Sequence, residues 1–206
     1  MKTIIFQAVL WSVLTMNSYG HDKRASFWNL SSPEKWWVIW HPFKAKNALE
    51  VSLKTLRVTD SILKLGIVGT DISGGRLDAF KHAYWMALLS QRIGEKAAVK
   101  LGKAHEKGNY RTFLKGRTED GSLPDKASSD MDHFNNKAGL DIYRKNPKAD
   151  ETALAALVIK SLLSGELIII KKQGNTYLTC EGIPIKADTL RGTWENDKCL
   201  VPSDEI

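Results

Sequence analysis

The side chains able to do chemistry fall in three short stretches. In DAFKHAYWMALL, Asp78 and His82 stand four residues apart, so on a helix they share a face roughly 40° wide with Trp85 and Leu89. KAHEKGN brings His105 and Glu106 side by side. SSDMDHFNNKAGLDIY places Asp132, Asn136 and Gly139 on one helical face, with Asn135 between that face and an apolar stripe of Met131, Phe134, Ala138 and Ile142. Two imidazoles and two or three carboxylates are a sufficient set for a divalent ion, zinc or manganese, which lowers the pKa of bound water and so supplies a nucleophile. On that reading Asp78, His82, His105 and Asp132 are the metal ligands. Without a metal, a histidine acts as general base, oriented by Asp78 or Asp132, and Glu106 stands in reserve. Trp85, Asn135, Asn136 and Gly139, together with Asp78, are candidate binding residues. The same cluster also reads as a buried hydrogen-bond network that fixes helix packing, or as a ligand site without chemistry.

Three helices must position these groups. Asp78 and His82 continue into the apolar face of their helix, and burying them costs free energy unless they are paired or bind something. On the second helix Arg92, Lys96, Lys100, Lys103, Lys107, Arg111 and Lys115 recur every three or four residues, which places them along one solvated ridge if the helix continues that far. Counting 100° per residue sets His105 about 170° from the middle of that ridge, among Ala97, Ala98, Leu101 and Ala104, so it faces inward. Glu106 falls nearer the ridge edge, where a surface pair with Lys103 or Arg92 competes with a role in the site. On the third helix His133 points away from the apolar stripe and reads as solvated. Gly139 inside that helix costs roughly 1 kcal/mol against alanine, which implies close approach of another backbone or of a ligand.

The remaining pattern surrounds these helices. Ser31-Ser32-Pro33-Glu34 starts a helix that carries Trp36, Trp37 and Trp40 before His41-Pro42. Aromatics at this spacing pack into a core, a carbohydrate or membrane-surface platform being the alternative. Residues 45–66 and 76–93 are helical by periodicity, a further helix runs from Gly94 to near Gly108, Ser128-Ser129-Asp130 caps one running towards Tyr143, and 150–164 forms the last. Leu167 to Ile170 and Thr176 to Cys180 are β-rich around a Gln173-Gly174-Asn175 turn, which predicts a hairpin. The expected fold is mainly α, a multi-helix orthogonal bundle with a small C-terminal β-hairpin. Its parts are a signal peptide over 1–20, a flexible segment over 21–33, a helical domain over 34–165 and a β appendage over 166–206.

Composition bounds the setting. The chain has 206 residues, 43% hydrophobic and 26% charged, which excludes a disordered chain and a multidomain machine. MKTIIFQAVLWSVLTMNSYG has the order of a secretory signal, one cation, then an apolar run, then small residues Ser18 and Gly20, so cleavage near Gly20 and a periplasmic or secreted destination are expected. The run is shorter than the roughly 20 residues a membrane span needs. Losing Lys2 takes the cations from 30 to 29 against 23 acids, so the net charge passes from +7 to +6 and the basic character belongs to the folded part. The Arg92 to Lys115 ridge reads first as a plain solvated face, an anionic envelope component being the alternative partner. Nucleic acid is disfavoured for want of a binding motif. Cys180 and Cys199, exported together, would close a loop worth roughly 3 kcal/mol as a disulfide, two free buried thiols being the alternative.

SGGRLDAFKHAYWMALLSQRIG, then KAHEKGN, then SSDMDHFNNKAGLDI resembles a family of bacterial domains of unknown function. That family is built around an Asp-Ala-aromatic-basic-His-Ala-Tyr-Trp helix, a His-Glu pair and an Asp-x-x-Asn-Asn-x-x-Gly helix. The likeness covers roughly residues 33 to 201. It implies a helical domain of small exported or toxin-associated proteins and assigns no activity. By motif match it carries over Asp78, His82, Trp85, His105, Glu106, Asp132, Asn135, Asn136 and Gly139, with His133 a departure. The order His82, His105-Glu106, Asp132 is also similar to the His, His-Asp, Asp order of metal-dependent phosphohydrolases, with glutamate in place of the middle aspartate and shorter spacings. Together these point to a metal-dependent or His/Asp acid–base hydrolase in the cell envelope, the alternative being a non-enzymatic binding protein.

Overall fold

The computed structural model describes residues 27–118 and 122–205. The expected signal peptide and residues 21–26 of the segment over 21–33 lie outside the described residues, and the rest of that segment holds a 3-10 turn and the start of the first helix. The chain is mainly helical. After a short 3-10 turn at Phe27–Asn29 come α1 (Ser32–Trp40), α2 (Pro42–Leu65), α3 (Arg76–Ile93), α4 (Glu95–Leu114), α5 (Lys126–Lys145) and α6 (Glu151–Leu163). A C-terminal part follows, with β1 (Ile168–Ile170), β2 (Lys172–Gln173), β3 (Thr176–Tyr177), the single turn α7 (Ala187–Leu190) and β4 (Leu200–Pro202).

α3 is the axis of the molecule. Leu77, Ala79, Phe80, Ala83, Ala87, Leu88 and Leu89 are fully buried, and α2, α4, α5, α6 and β1 all pack against it. A helix covered on every side must bury its polar residues too, and Asp78, His82 and Ser90 are among its buried side chains. α5 approaches it most closely. A Cβ on Gly139 would stand 2.0 Å from the carbonyl oxygen of Ala83, so only glycine lets the two backbones meet there.

Three local expectations change. α5 starts at Lys126 rather than behind Ser128-Ser129-Asp130, because Asp125 is the cap: its carboxylate accepts the Ser128 N–H at 2.9 Å and its own N–H donates to Ser128 Oγ at 3.0 Å. The apolar stripe on α5 is incomplete, since Phe134 is 45% exposed and the buried face is the one carrying Asp132, Asn135, Asn136 and Gly139. The tryptophans divide. Trp37 is buried and its Nε1 donates to Ala97 O at 3.1 Å, whereas Trp36 and Trp40 are 57% and 75% exposed, because only one side of α1 meets α4.

The β part is small and antiparallel. β2 and β3 form the hairpin around Gly174-Asn175, pairing Lys172 with Tyr177. Ile168–Ile170 does not join that hairpin but pairs with the C-terminal strand, Ile169 opposite Val201. Cys180 and Cys199 form a disulfide with Cα atoms 4.8 Å apart. Among the described residues no helix is long and apolar enough to cross a membrane.

Candidate functional site

The site is built from the N-terminal halves of α3 and α5. Asp78 lies in the first turn of α3, where a carboxylate interacts favourably with the helix dipole. The loop before it turns back at Gly74, in the left-handed region at φ 78°, and aims the Gly74 N–H at Asp78 Oδ2, 2.8 Å away. His82 stands one turn further on. Its Nε2 is 3.5 Å from Asp78 Oδ1 and 3.3 Å from Asp132 Oδ1, across the α3–α5 contact. Ligand atoms from Asp78, His82 and Asp132, all buried, lie within 4.8 Å of one another. This buried group has the composition and spacing to bind a metal ion.

Negative charge dominates the interior of the site. Burial first, and then the charges of Asp78 and Glu106, push the Asp132 carboxyl well above the ordinary aspartate value, against a smaller pull from Lys81 and His105. Burial acts on Asp78 in the same sense. There the Lys81 ammonium, 2.8 Å from Oδ1, together with His82 and the Gly74 N–H, outweighs it and holds the group low. Two carboxylates in similar burial are thus driven apart by their unequal partners, the pattern that separates a proton-holding group from a permanently charged one.

His105 faces inward as its helix position predicts, but its partner comes from another helix. Its Nδ1 lies 3.0 Å from Glu34 Oε1 and its ring packs against Trp85 and His82, at centroid distances of 5.7 and 6.1 Å. It stands beside the Asp78–His82–Asp132 group, outside its 4.8 Å cluster. A carboxylate only accepts, so Glu34 fixes the proton on Nδ1 and turns Nε2 into the basic nitrogen. The other oxygen of Glu34 accepts the Ser31 N–H at 2.8 Å and completes the capping box of α1. Sequence reading recognises Glu34 only as part of a helix start. Its capping position, 71 residues from His105, gives no sign that the second oxygen reaches the site.

Glu106 is more buried than its place near the ridge edge implies, at 3% exposure, because α5 covers that flank of α4. Ser129 Oγ donates to it at 3.0 Å. Trp85 donates its Nε1 to Ser52 Oγ at 2.9 Å and presents its ring to His105. Asn135 is fully buried and its amide pairs in both directions with the Ile168 backbone, at 2.9 and 3.0 Å, so it docks β1 on α5. Asn136 is 6% exposed and neither of its amide atoms has a hydrogen-bond partner among the described residues. An orphaned buried amide costs about 1–3 kcal/mol, and this one lies one turn beyond Asp132 on the same face, where a bound species would satisfy it. His133 is exposed, with Asp130 and Lys103 nearby.

Fold and site define a mainly helical domain with a carboxylate–imidazole centre buried between its two most closely packed helices. The chain belongs to the family described as a domain of unknown function, DUF6973, whose model matches residues 35–166. That match begins inside α1, covers α2 to α6 and ends before β1, a narrower range than the likeness over 33 to 201 read from the motifs. No curated protein and no solved structure matches the chain.

Proposed function

We propose that the protein is an exported bacterial hydrolase that uses a divalent metal, zinc or manganese, held by Asp78, His82 and Asp132. One observation carries this reading: three buried ligand side chains converge within 4.8 Å from two helices. The burial and the neighbouring acids that raise Asp132 support it, since a cation among these carboxylates offsets both. A bound ion would supply a water of lowered pKa. The chain's own groups do the rest. Glu34 orients His105, and His105 takes and returns the proton at the more open side of the site, its side chain 26% exposed against 7% for His82. Asn136 directs an unsatisfied amide towards the same face. The disulfide fits an oxidising compartment, and substrates in the cell envelope or on a neighbouring cell follow from export.

The test is metal content together with thermal stability. Purified protein is expected to hold one ion per chain, and an ion at a hundred times its Kd adds about 2.7 kcal/mol of stability. His82→Ala and Asp132→Ala lose the ion, whereas His105→Ala retains it and loses turnover on a panel of phosphoesters and envelope polymers. A melting temperature indifferent to zinc and manganese would falsify the metal reading.

A second reading, a structural network in a binding protein, draws on the Lys81 ammonium already 2.8 Å from Asp78 and on the low exposure of the whole group. Under it metals change nothing, and Asp78→Ala destabilises the fold without altering any binding.

A further inference from the structure

The starting points of α3 and α5, which carry the two aspartates of the site, are both held by one tyrosine and two lysines of the C-terminal part. The Tyr177 ring has Lys172 Nζ 4.7 Å and Lys198 Nζ 3.7 Å from its centroid. Lys172 reaches the loop before α3, donating to Asp71 Oδ2 at 2.6 Å and to Ser73 O at 2.5 Å, and the next residue is the Gly74 whose N–H fixes Asp78. Lys198 reaches the start of α5. Its Nζ lies 2.5 Å from Oδ2 of Asp125, the cap of that helix, and both side chains are only 6% exposed. Asn196 donates to the same oxygen at 2.9 Å. The two lysines thus brace Asp78 and Asp132 from a common ring.

The disulfide lies beside Lys198 and ties down the C-terminal end of its segment. From 181 to 197 no residue is buried, and the segment is tied down midway by Trp194, whose ring packs on Tyr110 and Phe113 and whose carbonyl accepts the Lys126 N–H at 2.9 Å. Its return is secured by Cys199, which bonds to Cys180 and exchanges backbone hydrogen bonds with Leu178 and Lys171. Cys180 itself is exposed to attack.

Resting on the metal reading above, we infer that Lys172, Tyr177 and Lys198 form a disulfide-locked clamp that sets the spacing of Asp78 and Asp132, so that metal affinity follows the thiol–disulfide state of Cys180 and Cys199. The switching step is exchange with a dithiol. One thiolate attacks the Cys180 sulfur and Cys199 leaves as a thiolate that takes up a proton. The second thiol of the reductant then displaces Cys180 and closes its own disulfide, so two electrons and two protons pass from the dithiol to the cystine.

The experiment titrates the oxidised chain, the Cys180→Ser/Cys199→Ser double variant, Lys198→Met and Lys198→Arg with Co²⁺ and Zn²⁺, reading affinity by calorimetry and coordination by the visible Co²⁺ spectrum. The serine pair avoids both free thiols that bind zinc and reductants that chelate it. The double variant and Lys198→Met are expected to bind about tenfold more weakly with a changed Co²⁺ spectrum, and Lys198→Arg to restore part of both, as supporting groups around metal ligands do. Equal affinity and an unchanged spectrum in the double variant overturn the clamp while leaving the metal site standing. Loss of helical circular dichroism in that variant also overturns it, since the bridge would then hold the whole fold. An oxidised wild-type chain that binds neither ion overturns the metal reading and the clamp with it.

Discussion

At the residue scale the site turns on unequal treatment of similar groups. Asp78 and Asp132 are both buried and share His82, yet Lys81 and a backbone N–H hold Asp78 charged while Asp132 is left facing Asp78 and Glu106. A carboxyl raised in this way binds its proton more tightly in the folded protein than in the unfolded chain. Metal-free stability therefore falls as pH rises above the ordinary value of 3.8, through the range in which folded Asp132 gives up its proton. Asp132→Asn removes the charge and keeps the shape. It is expected to stabilise the metal-free protein at pH 7 by on the order of 1 kcal/mol and to flatten that pH dependence, while abolishing stabilisation by zinc or manganese. Urea unfolding at pH 5 and pH 7, with and without metal, measures all of these. Residues that carry a site often cost stability in this way, and a variant less stable at neutral pH would remove the charge repulsion from the account.

At the element scale the decisive contact is α3 against α5. Its closeness depends on Gly139, where any side chain would drive a carbon into the Ala83 carbonyl, a backbone atom that a rotamer change cannot move. Gly139→Ala is expected to lose more than the 1–3 kcal/mol of ordinary overpacking and to lose metal binding with it, because separating the helices separates His82 from Asp132. Denaturation midpoints alongside a zinc titration test the two effects. α6 reinforces the same arrangement from the other side. Glu151 in its first turn pairs with Lys54 of α2 and, at 2.7 Å, with Arg92 of α3, and Tyr84 of α3 donates to its carbonyl. The Tyr84 hydroxyl is pushed up to about 12 by burial and by the Glu151 charge, so it stays protonated and keeps donating across the neutral range.

At the scale of the whole molecule the basic ridge of α4 lies on an exposed face, while Lys81 supplies a cation at the site itself. All seven cations from Arg92 to Lys115 are exposed, and among the described residues Arg92 pairs with Glu151. The ridge therefore presents a stripe of exposed cations to solution. Such a stripe raises the encounter rate with anionic polymers and loses effect as salt shortens the Debye length, about 8 Å at physiological ionic strength. Charge reversal at Lys96, Lys100 and Lys103 is expected to weaken binding to anionic envelope polymers severalfold and to flatten its salt dependence, with the melting temperature unchanged. Unaltered binding in a sedimentation assay would reduce the ridge to a solvated surface.

The sequence by itself determined what periodicity and local chemistry can encode. The helices of the core, the ridge that turns His105 inward and the burial of Asp78 and His82 follow from repeats of three and four residues, whereas the burial of the Asp132 face of α5 does not. The Ser31 cap of α1 and the breaks at Gly94 and Asn146-Pro147 follow from local backbone preferences. Tertiary structure alone decided the partners. Glu34 serves His105 from 71 residues away, Asn135 is engaged by the Ile168 backbone, Glu106 is covered by α5, and the strand at Ile168–Ile170 passes over the nearby hairpin to pair with the C-terminus. A single helix fixes which of its faces is apolar. Which neighbour covers a flank, and which distant carboxylate meets an inward imidazole, depends on how several helices pack at once, and the spacing of residues along one chain holds no record of that.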